Sequence, residues 1–129
     1  MTAGKVGVVL LNMGGPEKPE QIRPFLYNIF SDREIIRLGP SFLQKPLAWF
    51  IARKRAPKSM ATYARIGGGS PITRITKAHQ QALEYALAEA GDFIVVTAMR
   101  YWHPTTTEAL KTLRKAGVDK LVALSLYPD

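Results

Sequence analysis

Hydrophobic positions along the chain fall into two kinds of run. Residues 5–12 (KVGVVLLN), 93–100 (FIVVTAMR) and 120–127 (KLVALSLY) are short, continuous and rich in β-branched side chains. This is the pattern of strands that fill a parallel sheet covered on both faces. Between these runs the spacing turns helical. Residues 20–30 set Ile22, Phe25, Leu26 and Ile29 on one face, and Pro19 suits a first helical turn. Residues 72–90 repeat Ile72, Ile75, Ala82, Leu83, Ala86 and Leu87 and stop at Gly91, as a helix with a glycine C-terminal cap does. Residues 106–116 make a third helical pattern, closed by Gly117. The alternation predicts an α/β fold: a doubly wound, mainly parallel sheet with flanking helices.

Residues 40–58 (PSFLQKPLAWFIARKRAPK) break the alternation. Phe42, Leu43, Leu47, Trp49, Phe50 and Ile51 are followed at once by Arg53, Lys54, Arg55 and Lys58. Apolar residues beside clustered cations suit a surface resting on anionic lipid, or one that holds an acidic, apolar ligand. The alternative is that the aromatics are core and the cations a solvated helix face.

A second irregularity is YARIGGGSPI, residues 63–72. Each glycine costs backbone entropy on folding, so three in a row need a reason. A glycine-rich turn entering a helix can offer backbone N–H groups to an anion. However, this one follows no strand, lacks the lysine of a P-loop and does not match a dinucleotide fingerprint. The structural alternative has the glycines making a sharp turn with positive φ, Ser70 capping the next helix and Pro71 at its first position.

Composition narrows the classes. With 129 residues, 47% hydrophobic and 22% charged, the chain suits a single folded lobe and not a disordered segment. It has no cysteine, which removes disulfides, thiolate metal sites and cysteine nucleophiles and agrees with a reducing compartment. No signal-peptide pattern precedes the first strand, and no apolar run approaches the length of about 18 residues that spans a bilayer. The formal net charge of +8 asks for an acidic partner.

Six motifs give the chemistry a direction. LLNMGGPE (residues 10–17), IFSDREII (29–36), IARKRAPK (51–58), YARIGGGSPI (63–72), AMRYWHP (98–104) and LSLYP (124–128) follow one another in an order and spacing that resemble ferrochelatase. That family inserts ferrous iron into a porphyrin to make haem. The resemblance covers nearly the whole chain but only the N-terminal part of the family. It implies a Rossmann-like chelatase lobe over residues 1–129, with residues 40–58 as an apolar and basic lip and the C-terminal lobe absent.

A porphyrin is a flat apolar macrocycle with carboxylate arms, so its pocket needs greasy walls, slim backbone and a few cations at the rim. By the resemblance Met13 lies against the macrocycle beside Gly14 and Gly15, and Ile29 and Ile35 form an apolar lip. Without the family these three would read as core. Arg55, Tyr63 and Ser70 match positions that hold the polar periphery, with Lys58 an added cation; an arginine can pair with a propionate and hydroxyls can add neutral donors. Arg100 and Tyr101 stand at the carboxyl end of the second strand, where open α/β sheets place ligands. His79 and His103 read as structural.

The family's essential histidine and its partner carboxylate belong to the second lobe. No catalytic or metal-binding residue is therefore expected in this span, and the isolated chain is expected to be inactive. The substrates implied are ferrous iron and protoporphyrin IX, with no cofactor required from these residues and the iron–sulfur cluster of some members left open. The protein is expected in the cytoplasm, with Phe42, Leu43, Trp49, Phe50 and Ile51 as candidates for a peripheral contact with the inner face of the membrane. Two alternatives stand beside this reading. One is a chelatase for another tetrapyrrole, such as coproporphyrin; the other is a basic nucleic-acid-binding module, which no RNA or DNA signature in the sequence supports.

Overall fold

The computed structural model describes residues 4–127; Pro128, the last residue of the LSLYP motif, lies outside them, as do the first three residues. Along the chain the elements run β1 (Val6–Asn12), α1 (Pro19–Phe30), a short 3-10 turn (Ser41–Leu43), α2 (Gln44–Ala64), α3 (Ile72–Leu87), β2 (Phe93–Met99), α4 (Thr106–Ala116) and β3 (Lys120–Ser125). They divide into two compact units. One contains the chain up to Gly14 and from Ile72 onward; the other is Gly15–Pro71.

The first unit is the α/β layer that the strand and helix patterns predict. Its three strands are parallel in the order β2-β1-β3, with Val8 level with Val95 and Val122. Alternate residues face opposite sides, so each sheet face has its own core. Val9, Val96 and Ala98 pack with Ala109 and Leu113 of α4 on one side. Val8, Leu10 and Val95 meet Leu83 and Leu87 of α3 on the other.

β3 departs from the expectation of a strand buried on both faces. All six of its residues are exposed, with Leu121, Val122 and Leu124 each about half accessible. The reason is position: β3 pairs only with β1, while α3 and α4 lie over β2. A continuous apolar run identifies a strand but not which of its faces find a cover.

α3 also differs from its pattern. It ends at Leu87, not Ala90, and a turn in which Ala88 N–H and Ala90 N–H donate to Tyr85 and Leu87 carbonyls separates it from Gly91. Gly91 is therefore not its immediate cap. At the other end α3 begins at Ile72, one residue after Pro71, so the placing of Pro71 inside the first turn is one residue off. Ile75 is exposed, and polar residues one turn apart face the sheet instead. Thr76 Oγ1 accepts from Asn12 Nδ2, Gln80 Oε1 from the Thr97 hydroxyl, and Glu84 Oε2 from the Val95 N–H. The last bond satisfies a donor on the otherwise open edge of β2.

α4 matches its predicted bounds and shows why its ends lie where they do. Thr105 Oγ1 accepts from Glu108 N–H while Glu108 Oε2 accepts from Thr105 N–H, a reciprocal capping box, and Gly117 closes the helix in the left-handed region at φ 73°. Glu108 Oε1 also lies 2.8 Å from His103 Nδ1. That hydrogen bond is the main cause holding the Glu108 carboxyl below its ordinary value, with the Thr105 N–H adding to it. A carboxyl depressed in the folded state stabilises the fold above its unfolded value, and the contribution is lost as pH falls through the folded value. The melting temperature of Glu108→Gln should therefore lie below that of the parent at pH 7 and converge with it as pH falls below about 4. A constant gap across that range would remove the carboxylate from the cap.

In the second unit α1 and α2 pack against each other. Ile22 and Phe25 are buried from α1; α2 buries Gln44, Ala48, Ala52 and Ala56, four residues apart on one stripe. Small side chains on that stripe let the helices approach closely. The core reading of the aromatics in residues 40–58 fails here. Phe42, Leu43, Leu47, Trp49 and Phe50 are all exposed, Phe42 by 76%, and Ile51 is half-buried. Trp49 lies beside two guanidinium groups, with Arg23 Cζ 5.2 Å and Arg53 Cζ 5.5 Å from its ring centre.

Candidate functional site

In the sheet unit the predicted residues gather where β1 and β2 end. Asn12 Oδ1 accepts from Met13 N–H, and the two chains then continue side by side: Arg100 N–H donates to Asn12 carbonyl at 2.9 Å and Tyr101 N–H to Met13 carbonyl at 3.0 Å. Gly14 follows at φ 86°, in the left-handed region that favours glycine, and a Cβ there would crowd Met99 Cβ at 3.0 Å and Trp102 Cβ at 3.1 Å. Met13 is half-buried, Arg100 is exposed and Tyr101 is buried beneath it, the Arg100 guanidinium 5.5 Å from the Tyr101 ring centre. Arg100 opens onto a groove of about 350 Å³ shared with Leu11, Asn12, Ala98, Thr106 and Tyr127.

In the helical unit Arg55, Lys58 and Tyr63 line one open groove of about 480 Å³ with Ser59 and Thr62. The cause is helical period. Residues 55, 58, 59, 62 and 63 stand three and four apart along α2, so two cations, two aliphatic hydroxyls and a phenol share one face. Arg55 Cζ rests 5.3 Å from the Phe30 ring centre, which holds the guanidinium over α1. Ile29 is half-buried and Ile35 is 52% exposed in the segment after α1. Neither is among the residues lining this groove, and nor is Ser70.

The triple glycine resolves into two separate requirements. Gly68 N–H donates to Tyr63 carbonyl at 2.8 Å and Gly67 N–H to Ala64 carbonyl at 3.4 Å, the paired bonds of a Schellman motif that ends α2. Gly67 and Gly68 take φ of 99° and 98°, in the left-handed region that favours glycine. Gly69 is needed for closeness instead. A Cβ there would overlap the Glu17 carbonyl and meet the Pro16 carbonyl at 2.8 Å, and the next residue, Ser70, donates its N–H to that Pro16 carbonyl at 2.6 Å. The turn thus fastens the end of α2 to the segment that begins α1.

Asn12, Ser59, Thr62, Thr106 and Tyr127 line the two grooves and went unnoticed in the sequence. Ser59 and Thr62 could have been found by extending the helical period from Arg55; the others needed the sheet. His103 is exposed and bonded to Glu108, and His79 is exposed. Among the described residues no three His, Cys, Asp or Glu side chains cluster as metal ligands, and no helix is long and apolar enough to cross a membrane.

A parallel sheet with an arginine-edged groove at its strand ends, and a long helix bearing a cationic, hydroxyl-lined groove, define an α/β protein with two cation-bearing grooves. Comparison with known proteins narrows the class. The sequence model of the ferrochelatase family matches residues 5–129. A ferrochelatase of Desulfotalea psychrophila is 64% identical over 122 residues, which are 95% of this chain and 38% of that protein. Ferrochelatases of Cyanothece sp. and Gloeobacter violaceus are 55% and 54% identical over 98% and 97% of the chain, 33% and 38% of their own lengths. The chain belongs to the ferrochelatase family, and it spans about a third of the length of these relatives.

Proposed function

We propose that the chain supplies part of the porphyrin-binding surface of a protohaem ferrochelatase, the enzyme that inserts ferrous iron into protoporphyrin IX. The observation that carries this is the groove on α2, where Arg55 and Lys58 stand beside Ser59, Thr62 and Tyr63. Carboxylate arms on an apolar ring are the ligand chemistry that such a surface suits. Arg55 pairs with a propionate, Lys58 adds charge, and the hydroxyls complete the hydrogen bonding. Ile29, Ile35 and Met13 give apolar contact; Ser70, Arg100 and Tyr101 are further contacts by family likeness. Insertion exchanges the metal for two pyrrole protons, and the family's histidine and carboxylate that take part lie in its second lobe. The residues here bind and orient.

The membrane reading belongs to the same proposal. Phe42, Leu43, Trp49, Phe50 and Ile51, with Arg23 and Arg53 at Trp49, make an apolar and cationic surface fit for the headgroup boundary of an anionic bilayer at the cytoplasmic face. Family membership favours the ferrochelatase reading over a nucleic-acid-binding module.

Titration of the chain with protoporphyrin IX, followed by fluorescence, tests the proposal. Binding should saturate, and Arg55→Ala should weaken it about tenfold, the scale of one charge-assisted hydrogen bond. An unchanged dissociation constant for the variant would remove the groove from porphyrin binding.

A further inference from the structure

The segment between α1 and α2, residues 31–43, carries Ile35 and Ile36 exposed at 52% and 39%, yet contains no regular element before Ser41. Two exposed isoleucines on an irregular segment are poor binding elements unless something fixes the backbone, because ordering it on binding opposes affinity. The fixing group is a single side chain. Gln44, the first residue of α2, is 3% exposed, and its amide uses two donors and two acceptor positions. Nε2 donates to Phe30 carbonyl at 2.7 Å and to Ile36 carbonyl at 3.0 Å. Oε1 accepts from Leu38 N–H at 2.9 Å and from Arg33 Nη1 at 3.4 Å. Carbonyls on one side and N–H groups on the other leave only one orientation of the amide that satisfies all four.

These four partners divide in an informative way. Phe30 carbonyl is one of the orphan acceptors at the end of α1. Arg33 and Leu38 flank the two isoleucines on either side, and the remaining partner, the Ile36 carbonyl, belongs to one of them. Local bonds support the same shape: Asp32 carbonyl accepts from Ile35 and Ile36 N–H, Asp32 Oδ1 accepts from Glu34 N–H, and Arg33 Nη1 also donates to Gly39 carbonyl. Gln44 therefore pins the segment to the end of α1 and the start of α2 while leaving the isoleucine side chains outward.

We infer that Gln44 is a positioning residue for porphyrin binding, holding Ile35 and Ile36 as a preformed apolar lip. The inference rests on the reading of the protein as porphyrin-binding. Gln44 touches no ligand; it acts through the two isoleucines.

The test uses the whole chain, protoporphyrin IX as probe, and a double-mutant cycle. Gln44→Met keeps length and apolar bulk while removing all four hydrogen bonds, and Gln44→Glu keeps the two acceptances but sets a carboxylate against two carbonyls. Both should speed amide hydrogen exchange at Ile36 and Leu38 with the amides of β1 unchanged, and raise the porphyrin dissociation constant about tenfold. In a chain already carrying Ile35→Ala and Ile36→Ala, Gln44→Met should change affinity less than twofold. A purely structural glutamine would weaken binding equally in both backgrounds, and that result overturns the inference. Equal affinity of Gln44→Met and the parent overturns it as well, while leaving the porphyrin reading standing. Failure of the parent chain to bind protoporphyrin at all overturns that reading, and this inference with it. Should Gln44→Met fail to fold, the comparison of Gln44→Glu in the two backgrounds decides by the same criterion.

Discussion

Gly69→Ala is expected to lower the melting temperature by roughly 10 °C, corresponding to about 3 kcal/mol in a domain of this size. The cost does not come from backbone conformation, because Gly69 is not among the glycines with positive φ. It comes from the overlap of any Cβ with the Glu17 carbonyl, a backbone atom that cannot rotate away. To accept the methyl group the turn must lift off residues 16 and 17, which breaks the Ser70 N–H bond to Pro16 carbonyl. Gly67→Ala supplies the internal comparison. A Cβ at Gly67 meets nothing within 4 Å, so only the left-handed φ is costly, at about 1–2 kcal/mol. Calorimetry of the two variants should therefore rank Gly69→Ala as clearly the more damaging. Equal losses would mean that conformation alone, and not close approach, explains the third glycine. The functional consequence follows from the same geometry: Tyr63 accepts the Gly68 N–H and lines the α2 groove, so Gly69→Ala should weaken porphyrin binding as well as stability.

The fold was legible in the sequence where one signal acted alone. Continuous β-branched runs placed β1 and β2, and α4 was read to the residue from its helical spacing and the glycine that closes it; the threonine cap and the glutamate three positions on, which fix its start, were not read. α2 was not legible, because its buried stripe is Gln44, Ala48, Ala52 and Ala56 while its large apolar residues face outward. Hydrophobic periodicity follows size, and here the small residues are inside. α3 misled for a related reason: its sheet-facing side carries Thr76, Gln80 and Glu84, whose partners are polar groups of β1 and β2 that no one-dimensional pattern reveals.

For the candidate site the sequence supplied residue types, and the family resemblance supplied roles. Arg55, Lys58 and Tyr63 do share a groove, since a helix brings together residues at such spacing. What no spacing could show is the support beneath: Phe30 under Arg55, the Pro16 carbonyl holding Ser70, and Gln44 fixing the segment of Ile35. A glutamine within an apolar and basic segment carries no sign that its amide is buried.

Leu113→Ala should destabilise the sheet unit by about 4 kcal/mol, toward the upper end of the range for a buried leucine. The range reflects how far neighbours can relax into the space left behind. Leu113 is 1% exposed and lies in the core with Val9, Val96, Ala98 and Ala109, while its two methyl groups sit over Gly7 of β1, where an added Cβ would come within 2.9 Å and 3.0 Å of them. Gly7 has no side chain to turn into the cavity, and β1 is fixed by strands on both sides. Collapse is therefore restricted, and the cavity stays. Gly7→Ala in the Leu113→Ala background should recover part of the loss, since the new methyl group occupies the vacated volume, whereas Gly7→Ala alone should destabilise by crowding Leu113. Urea unfolding of the four chains measures the coupling directly. Additive losses would show that the space over Gly7 closes by movement of α4. α4 carries Thr106, which lines the groove with Arg100, so such movement would also reshape that groove and alter affinity for an anionic ligand at Arg100.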